Sequence, residues 1–196
     1  TVDGNIRPVF SPSRRFAGPA ITVSLPTGSF NPKKFAMETT QPGDVLVIAA
    51  RGLTHHSLLG GNLCRGLKHR GLAGIIVDGA VRDVEEMQEI GLPVRAAGVA
   101  LNSGPKTGPG EVNVPIAVGH CVIFPGDIVV ADSQGIAVVP ASHAEQILTS
   151  LFEVKEREES LQSTLRRGDI TAIDRIRRDL VESGFEILEA PWGSRG

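Results

Sequence analysis

The chain has 196 residues, of which 41% are hydrophobic and 21% charged, and its formal net charge is -2. This length suits one domain, and the balance of apolar and charged residues excludes wholesale disorder. The near-neutral charge gives no sign of the basic face that a nucleic-acid partner usually requires. The 23 Gly and 13 Pro, beside only 4% aromatic residues, indicate an aliphatic core broken by many tight turns.

The sequence pattern of residues 20–99 predicts short strands that alternate with helices. Residues 1–19 are rich in Pro, Gly and Arg and predict an extended lead-in. The predicted strands are residues 20–25, 45–50, 73–77 and 93–99, and the predicted helices are residues 31–40, 63–70 and 84–90. Gly71 and Gly91 end the last two of these helices, as glycine often does.

Beyond residue 99 the pattern predicts strands alone, followed by helices. The strands are expected at residues 112–118, 121–124, 128–132 and 135–139. Apolar residues then recur at helical spacing from Ser142 to Arg167, and a second amphipathic segment covers residues 170–181. We expect residues 1–140 to form the core and 141–196 to be a helical extension of the same domain. An apolar helix face near a chain end must be covered, which favours a homo-oligomer.

The two cysteines, Cys64 and Cys121, lie in apolar or glycine-rich stretches and lack the spacing of a metal site. We interpret both as reduced, which favours a cytoplasmic protein. No run of about 18 apolar residues occurs, so we expect no membrane partner. We also expect no signal peptide.

The first candidate site is Gly60-Gly61-Asn62-Leu63, directly before a predicted helix. Free N–H groups at a helix start, together with the helix dipole, bind anions such as a carboxylate or a phosphate. Glycine also lets a ligand approach the backbone closely. The alternative is a loop-to-helix turn that needs glycine for its conformation alone.

The second candidate site is Arg82-Asp83 with Glu86, after the apolar strand at residues 73–77. Arg82 suits a planar carboxylate or a neighbouring keto oxygen, and Asp83 is a hard oxygen ligand for Mg²⁺ or Mn²⁺. A helix from Val84 would put Asp83 and Glu86 on one face, so that one holds a metal and the other its water. The alternative is an Arg–Asp surface pair, with Asp83 as a helix N-cap.

Other catalytic patterns are missing from the sequence. It contains no paired-histidine spacing for zinc, no Gly-x-Ser-x-Gly elbow and no Walker-type loop. No lysine belongs to the two candidate sites, so a Schiff-base route is not suggested.

Together the two sites resemble a family signature. Gly61, twenty further residues, Arg82-Asp83, two more residues and Glu86 look like the Gly-x20-Arg-Asp-x2-Glu/Asp signature of the RraA-like family. That family includes metal-dependent 4-hydroxy-4-methyl-2-oxoglutarate aldolases. Residues 73–83, 108–115, 125–132 and 135–140 also look like family phrases, in the right order.

The resemblance implies an α/β fold: a β/β/α sandwich like the swivelling domain of phosphoenolpyruvate-using enzymes, with a long C-terminal helix. It also implies a homotrimer or a hexamer with sites between subunits. The implied activity is that of a lyase, a class II pyruvate aldolase that also decarboxylates oxaloacetate. Both reactions pass through a metal-stabilised pyruvate enolate.

By the same resemblance, Asp83 is the direct ligand of a divalent cation, Mg²⁺ before Mn²⁺ or Co²⁺. Arg82 contacts the keto oxygen of the 2-oxo acid, the Gly60–Leu63 amides bind its carboxylate, and Glu86 completes the catalytic set. Some aldolase members carry an acidic residue where this chain has Gly61, which leaves the proton-transfer residue open. The candidates are Glu156, Glu158 and Glu159 of a neighbouring subunit.

The alternative function is a non-catalytic regulator of ribonuclease E activity, like the founding members of the family. Those members lack the acidic residue after the arginine, so Asp83 favours the enzyme. A third interpretation, a quinone methyltransferase, is disfavoured because the expected type of nucleotide-binding glycine loop does not occur.

Overall fold

The computed structural model of the protein describes residues 1–2, 4–27, 29, 31–171 and 175–187. The chain divides into two compact units, residues 1–144 and residues 145–196. That both belong to one domain stays a prediction. Among the described residues, no helix is long and apolar enough to cross a membrane.

The strands of the first unit form a mixed sheet and a small hairpin. They are Arg7–Pro8 (β1), Phe16–Ser24 (β2), Val45–Leu59 (β3), Gly74–Val81 (β4), Val94–Val99 (β5), Glu111–Val112 (β6), Ile116–Val118 (β7), Cys121–Ile123 (β8), Ile128–Ala131 (β9) and Ile136–Val139 (β10). β7 and β8 form the hairpin, and the sheet has the order β1-β5-β4-β3-β2-β9-β10, with β6 beside β2. Strands β2 to β5 are parallel, whereas β1, β6, β9 and β10 pair antiparallel with their neighbours.

Helices connect the parallel strands. α1 (Asn31–Thr39) lies between β2 and β3, α2 (Gly61–His69) between β3 and β4, and α3 (Val84–Ile90) between β4 and β5. The long helix α4 (Ala144–Arg166) and the short helix α5 (Ile176–Glu182) follow. The predicted α/β class, the helix at residues 84–90 and the long C-terminal helix are therefore confirmed. α4 begins two residues later than predicted, because residues 141–143 form a 3₁₀ turn.

The central strands are buried on both faces, as their aliphatic residues favour. Alternate residues of a strand point to opposite faces. Leu46 and Ile48 of β3 pack with the buried residues of the helices, whereas Val45 and Val47 pack with those of β7–β10. Burying one such side chain contributes about 1.5–3 kcal/mol, so this part of the sheet supplies much of the stability of the first unit.

Four strands differ from the prediction by several residues. β4 continues to Val81 rather than ending at Val77, because its residues 78–81 pair with the carboxyl half of β3. β2 begins at Phe16 rather than at Ala20, because residues 16–19 pair with β9, which is distant in sequence. The predicted strand at residues 112–118 divides into β6 and β7, because Asn113 has a φ of +55° that interrupts extended backbone. β3 continues nine residues past Ala50, to Leu59. Of the predicted segment at residues 170–181, the part from Ile176 is α5, and residues 172–174 lie outside the described residues.

Candidate active site

A cavity of about 240 Å³ opens at the carboxyl ends of β3 and β4. In a sheet of parallel strands, ligands usually bind at this edge. The lining residues are Lys33, Ser57, Leu58, Leu59, Gly60, Asn62, Leu63, Arg82, Asp83, Ser103, Gly104 and Pro105. The cavity therefore brings the two predicted sites together in one place.

The carboxyl half of β3 makes room for this cavity. Ala49 pairs with Asp78 and Leu59 pairs with Val81, so eleven residues of β3 lie opposite four residues of β4. The register first shifts at Arg51 and Gly52, whose φ angles are +56° and +70°. Extra residues on one strand bend it out of the sheet. The strand then returns, so that its last residues, Ser57–Leu59, line the cavity.

Gly60, Asn62 and Leu63 form one wall of the cavity, and Gly61 lies between them in the chain. α2 begins at Gly61, two residues before the predicted start, and Gly60 is its extended N-cap residue with a φ of -136°. The Gly61 N–H donates a hydrogen bond to Asp83 Oδ2 at 3.0 Å. The first N–H groups of a helix have no acceptor inside the helix. The turn can therefore present backbone donors to an anion at Asn62 and Leu63, which line the cavity.

Asp83 stands at the N-terminus of α3 in an unusual conformation. Its φ and ψ are 58° and 45°, in the left-handed region, and its side chain makes no capping hydrogen bond to α3. The interpretation of Asp83 as a side-chain helix cap is therefore wrong, because its carboxylate accepts from Gly61 instead. Left-handed backbone in a residue other than glycine is costly and tends to occur at functional sites. The conformation aims the carboxylate into the cavity rather than along the helix.

Arg82 is positioned between a carboxylate and a hydroxyl group. Its Nε lies 3.5 Å from Asp83 Oδ2, and its Nη1 donates a hydrogen bond to Ser103 Oγ. Asp83 therefore both accepts from Gly61 and faces the guanidinium of Arg82. The guanidinium lies on the cavity wall, where its remaining face can contact a substrate oxygen.

Glu86 lies next to Gly61 but does not line the cavity. Its Oε1 is 2.8 Å from Arg65 Nη2, in a half-exposed ion pair. A Cβ atom on Gly61 would come within 2.0 Å of Glu86 Oε2. Asp83 and Glu86 therefore approach the same glycine turn, and a side chain at position 61 would displace the Glu86 carboxylate from its present place.

Lys33 of α1 also lines the cavity, so the prediction that no lysine belongs to the site is wrong. The residue is only 4% exposed, and its Nζ donates a hydrogen bond to the Leu58 carbonyl oxygen at 2.6 Å. Burial, and secondly the positive charge of Arg82, lower the pKa of Lys33 to about 8. The sequence did carry a signal: Lys33 shares a helical face with Ala36 and Met37, which pack in the core.

Cys64 lies behind the cavity wall, on the buried face of α2. Burial, and secondly the negative charge of Glu86, raise the pKa of its thiol to about 11. The thiolate is the nucleophilic form of cysteine. Cys64 is therefore a core residue and not a nucleophile of this site.

The donor groups of the cavity fit a magnesium ion better than a zinc ion. The described residues contain no group of three or more His, Cys, Asp or Glu side chains that could hold a metal, as a protein zinc site requires. Mg²⁺ commonly takes one or two carboxylates and keeps several waters, which Asp83 can satisfy. The missing side chain of Gly60 leaves the space for this, because a Cβ atom there would lie 2.6 Å from Asp83 Oδ2 and 3.0 Å from Arg82 Nε.

Glu156, Glu158 and Glu159 are exposed on α4. Lys155 Nζ lies 3.8 Å from Glu159 Oε1, one turn along the same helix. Such exposed ion pairs contribute little stability. The role of these three glutamates in a site between subunits stays a prediction.

Comparisons with known proteins agree with the signature. Residues 1–138 match the family described as RraA-like, Aldolase/RraA. The chain is 37% identical, over 67% of its length, to a protein from Halalkalibacterium halodurans provisionally named as a 4-hydroxy-4-methyl-2-oxoglutarate aldolase, and the match spans 62% of that protein. A Thermus thermophilus protein named 4-hydroxy-4-methyl-2-oxoglutarate aldolase is 35% identical over 67% of this chain and 79% of its own.

A solved structure is also similar. It is that of RraAS2 from Streptomyces coelicolor, described as an unusual member of the RNase ES inhibitor RraA protein family. It shares 34% identity with this chain, and the match covers 80% of this chain and 82% of that one, with a TM-score of 0.71. The similarity therefore extends to the arrangement of the strands and helices.

Proposed function

The chain belongs to the RraA-like family, as its signature residues predicted, and we propose that it is a divalent-metal-dependent lyase. The reaction is the cleavage of 4-hydroxy-2-oxo acids, of the 4-hydroxy-4-methyl-2-oxoglutarate type, to pyruvate. Oxaloacetate decarboxylation is the second activity, because both reactions pass through the enolate of pyruvate. The observation that carries this proposal is the Asp83 carboxylate, 3.5 Å from the Arg82 guanidinium, on the wall of the cavity.

Asp83 would hold the cation, Mg²⁺ before Mn²⁺ or Co²⁺. When bound, such an ion supplies Lewis-acid polarisation of a carbonyl oxygen. The hydrogen bond from the Gly61 N–H to Asp83 Oδ2 fixes the direction of the carboxylate. The left-handed backbone of Asp83 contributes to the same end, because it points the side chain away from α3.

Arg82 and the start of α2 would bind the pyruvyl part of the substrate. The first-turn amides at Asn62 and Leu63 bind the carboxylate, and the Arg82 guanidinium faces the keto oxygen. Negative charge builds up on that oxygen as the C–C bond breaks, so a fixed cation beside it stabilises the transition state. Ser103 orients Arg82 through the hydrogen bond between them.

Aldol cleavage also needs proton transfer. A base removes the proton of the 4-hydroxyl group, the C3–C4 bond breaks, and its electron pair passes into the enolate, which an acid then protonates at C3. Glu86 lies beside Gly61 and is part of this catalytic set, although its contact with Arg65 keeps it outside the cavity lining. Glu156, Glu158 and Glu159 of a neighbouring copy are the further candidates.

The finer features of the architecture belong to this proposal as well. A homotrimer or hexamer would bring α4 of one copy to the cavity of the next. Such an assembly could cover exposed apolar residues, among them Val99, Leu101, Val122 and Phe124. The likeness to the swivelling domain of phosphoenolpyruvate-using enzymes remains a prediction from the resemblance.

The test is pyruvate release from 4-hydroxy-4-methyl-2-oxoglutarate and from oxaloacetate, followed with lactate dehydrogenase. We expect release with Mg²⁺, loss of release with EDTA and recovery when Mg²⁺ is added in excess. Pyruvate release that EDTA does not reduce would mean that the reaction does not require a divalent metal. No release from either substrate under any of these conditions would overturn the proposal itself.

The second candidate function is regulation of a ribonuclease without catalysis. It is favoured by the similarity to RraAS2, which is described as a member of a family of RNase ES inhibitors. Adding the protein to a ribonuclease E cleavage assay tests it directly. Inhibition that is unchanged in an Asp83 variant, together with no pyruvate release, would support this function instead.

A further inference from the structure

We infer that one face of α4 is an interface between copies of this chain, in which three α4 helices pair in parallel as a coiled coil. We call this face the seam, and it consists of Ala144, Ile147, Leu151, Val154, Glu158, Leu161 and Leu165. The inference goes beyond the proposed function, because it concerns how the copies assemble and not the reaction.

The spacing of the seam is that of a coiled coil. Its residues follow one another at alternating steps of three and four along α4, and such heptads place the a and d positions against the partner helix. Ala144 is the first a position, Ile147 is the first d position, and the two alternate from there. Because the spacing continues over three heptads, the seam is complementary to the seam of another copy.

The apolar side chains of the seam are open to solvent in the single chain. The structure describes every residue of α4 and none of them is buried, and Leu151 and Leu161 are 55% and 45% exposed. Most of the stability of a helix in a protein comes from the packing of its apolar face. A partner helix on the seam would therefore stabilise α4.

The residue types in the seam favour more than two strands. Leucine at a with isoleucine at d favours three or four parallel strands. Leu151 and Leu165 are at a, whereas the β-branched residues Ile147 and Val154 are at d. Leu148, at the neighbouring e position, is also exposed and widens the apolar face toward a second neighbour.

Symmetry selects three strands from these two numbers. Identical helices that all run parallel are related by a cyclic axis, and three-fold symmetry is among the common closed symmetries of homo-oligomers, after two-fold dimers and tetramers of two crossed two-fold axes. Four parallel strands would require a four-fold axis, which is not in that group. The seam therefore fits a trimer.

Charge complementarity at Glu158 favours the parallel arrangement. In parallel pairing, a residue at a packs beside the preceding g residue of the neighbouring helix, and that residue is Arg157. Within one chain, Arg157 Nη2 lies 4.0 Å from Glu153 Oε2 in an exposed ion pair, which contributes little stability. Arg157 is therefore available to meet Glu158 of the neighbouring copy.

Assembly through the seam divides the glutamates of α4 into two groups. Glu158 lies in the seam, whereas Glu156 and Glu159 are at the f and b positions on the outer face of the helix. Only the outer face stays open to the cavity of a neighbouring copy. Of the three candidates for proton transfer, the inference therefore leaves Glu156 and Glu159.

Disulfide cross-linking of the full chain tests the seam. Leu161→Cys places a thiol at a d position, where parallel helices in register bring two such thiols within bonding distance. Every variant also carries Cys121→Ser, because Cys121 is partly exposed whereas Cys64 is buried. After mild oxidation, we expect cross-linked dimers on a non-reducing denaturing gel, with about a third of the chains left single, because one disulfide joins only two chains of a trimer.

Three further variants provide the comparison. Ser163→Cys puts the thiol at an f position on the outer face, so we expect no cross-link. Leu151→Ser, added to Leu161→Cys, should slow cross-linking by about 10- to 100-fold, as expected for loss of one buried leucine. Phe152→Ser is the matched control, because Phe152 is the next residue, is 60% exposed and lies outside the seam; it should leave the rate unchanged. Circular dichroism establishes that each variant folds.

Several results would overturn the inference. One is cross-linking of Leu161→Cys no faster than that of Ser163→Cys. This is also the result expected for antiparallel helices, which would place the two residues 161 about 18 Å apart along the axis. Equal slowing by Leu151→Ser and Phe152→Ser would mean general apolar contact instead of a seam. A dimer or a tetramer in sedimentation equilibrium would refute the three strands.

These outcomes are independent of the lyase assay. Cross-linking through the seam without pyruvate release from any substrate would support the inference and refute the proposed function. Pyruvate release from a protein whose Leu161→Cys variant does not cross-link would do the reverse.

Discussion

The two halves of β3 are built in different ways. From Val45 to Ala49 each residue pairs with one residue of β4, and all of these side chains are buried. From Ala49 to Leu59, eleven residues of β3 lie opposite only four residues of β4. Of these eleven, Arg51, Gly52, Thr54 and His55 are exposed. The regular half forms the core, whereas the irregular half ends at the cavity.

This difference separates stability from chemistry along one strand. The regular half stabilises the fold through close packing on both of its faces. The irregular half lacks regular pairing, and the cavity at its end is lined by a left-handed Asp83 and a buried Lys33. Substitutions should therefore affect activity at the carboxyl end of the strands and stability at the amino end.

The largest expected effect is at Asp83. Asp83→Asn removes the charge but keeps a residue that tolerates left-handed backbone, so the fold should persist. We expect the rate of pyruvate release with Mg²⁺ to fall by about 100- to 1,000-fold, as for loss of one group that stabilises developing charge. Steady-state kinetics and thermal unfolding would be measured together.

Asp132→Asn is the matched control for this variant. Asp132 is an aspartate of the same unit that accepts hydrogen bonds from the Gln134 and Gly135 amides in a turn. Its substitution should leave the rate unchanged. An Asp83→Asn variant that keeps its full Mg²⁺-dependent rate would mean that Asp83 does not hold the cation.

Proximity of the two sites could be predicted from the sequence because it depends on topology. Gly60–Leu63 follows β3, and Arg82 follows β4. Adjacent parallel strands place their carboxyl ends at the same edge, so two separate sequence motifs meet. The family resemblance had the same basis, since its signature spans these two strand ends.

The irregular half of β3 could not be predicted in this way. The composition of this half is that of a loop, with Arg51, Gly52, His55 and His56. Its register shifts depend on pairing with β4 and not on the local sequence pattern. Lys33 was missed for a similar reason. Its distance from the signature in sequence hides the contact between α1 and the end of β3.

A smaller effect is expected at Gly61. Gly61→Ala would place a Cβ atom 2.0 Å from Glu86 Oε2, so the Glu86 carboxylate, which is paired with Arg65, must move. We expect the rate to fall by about 10-fold with little change in stability, because a small displacement of a site group is enough to slow the reaction. Steady-state kinetics would measure the rate, and urea unfolding would measure the stability.

Gly66→Ala is the matched control on the same helix. A Cβ atom there would meet only Met37 Cε, at 3.4 Å, and alanine favours a helix interior over glycine by about 1 kcal/mol. The control should be fully active and at least as stable as the unchanged protein. Equal activity of both variants would mean that Gly61 serves the conformation of the turn alone.

The smallest effect tests the regular half. Ile48 is fully buried and pairs with Val77, so Ile48→Val removes one methylene group and should lower the free energy of unfolding by about 0.5–1.5 kcal/mol. Ile170→Val makes the same change at an exposed position and should alter neither the free energy of unfolding nor kcat. Because Ile48 lies in the regular half of β3, kcat should stay the same in both variants. A several-fold fall in kcat for Ile48→Val would mean that the core also positions the site, and that the two halves of β3 are coupled.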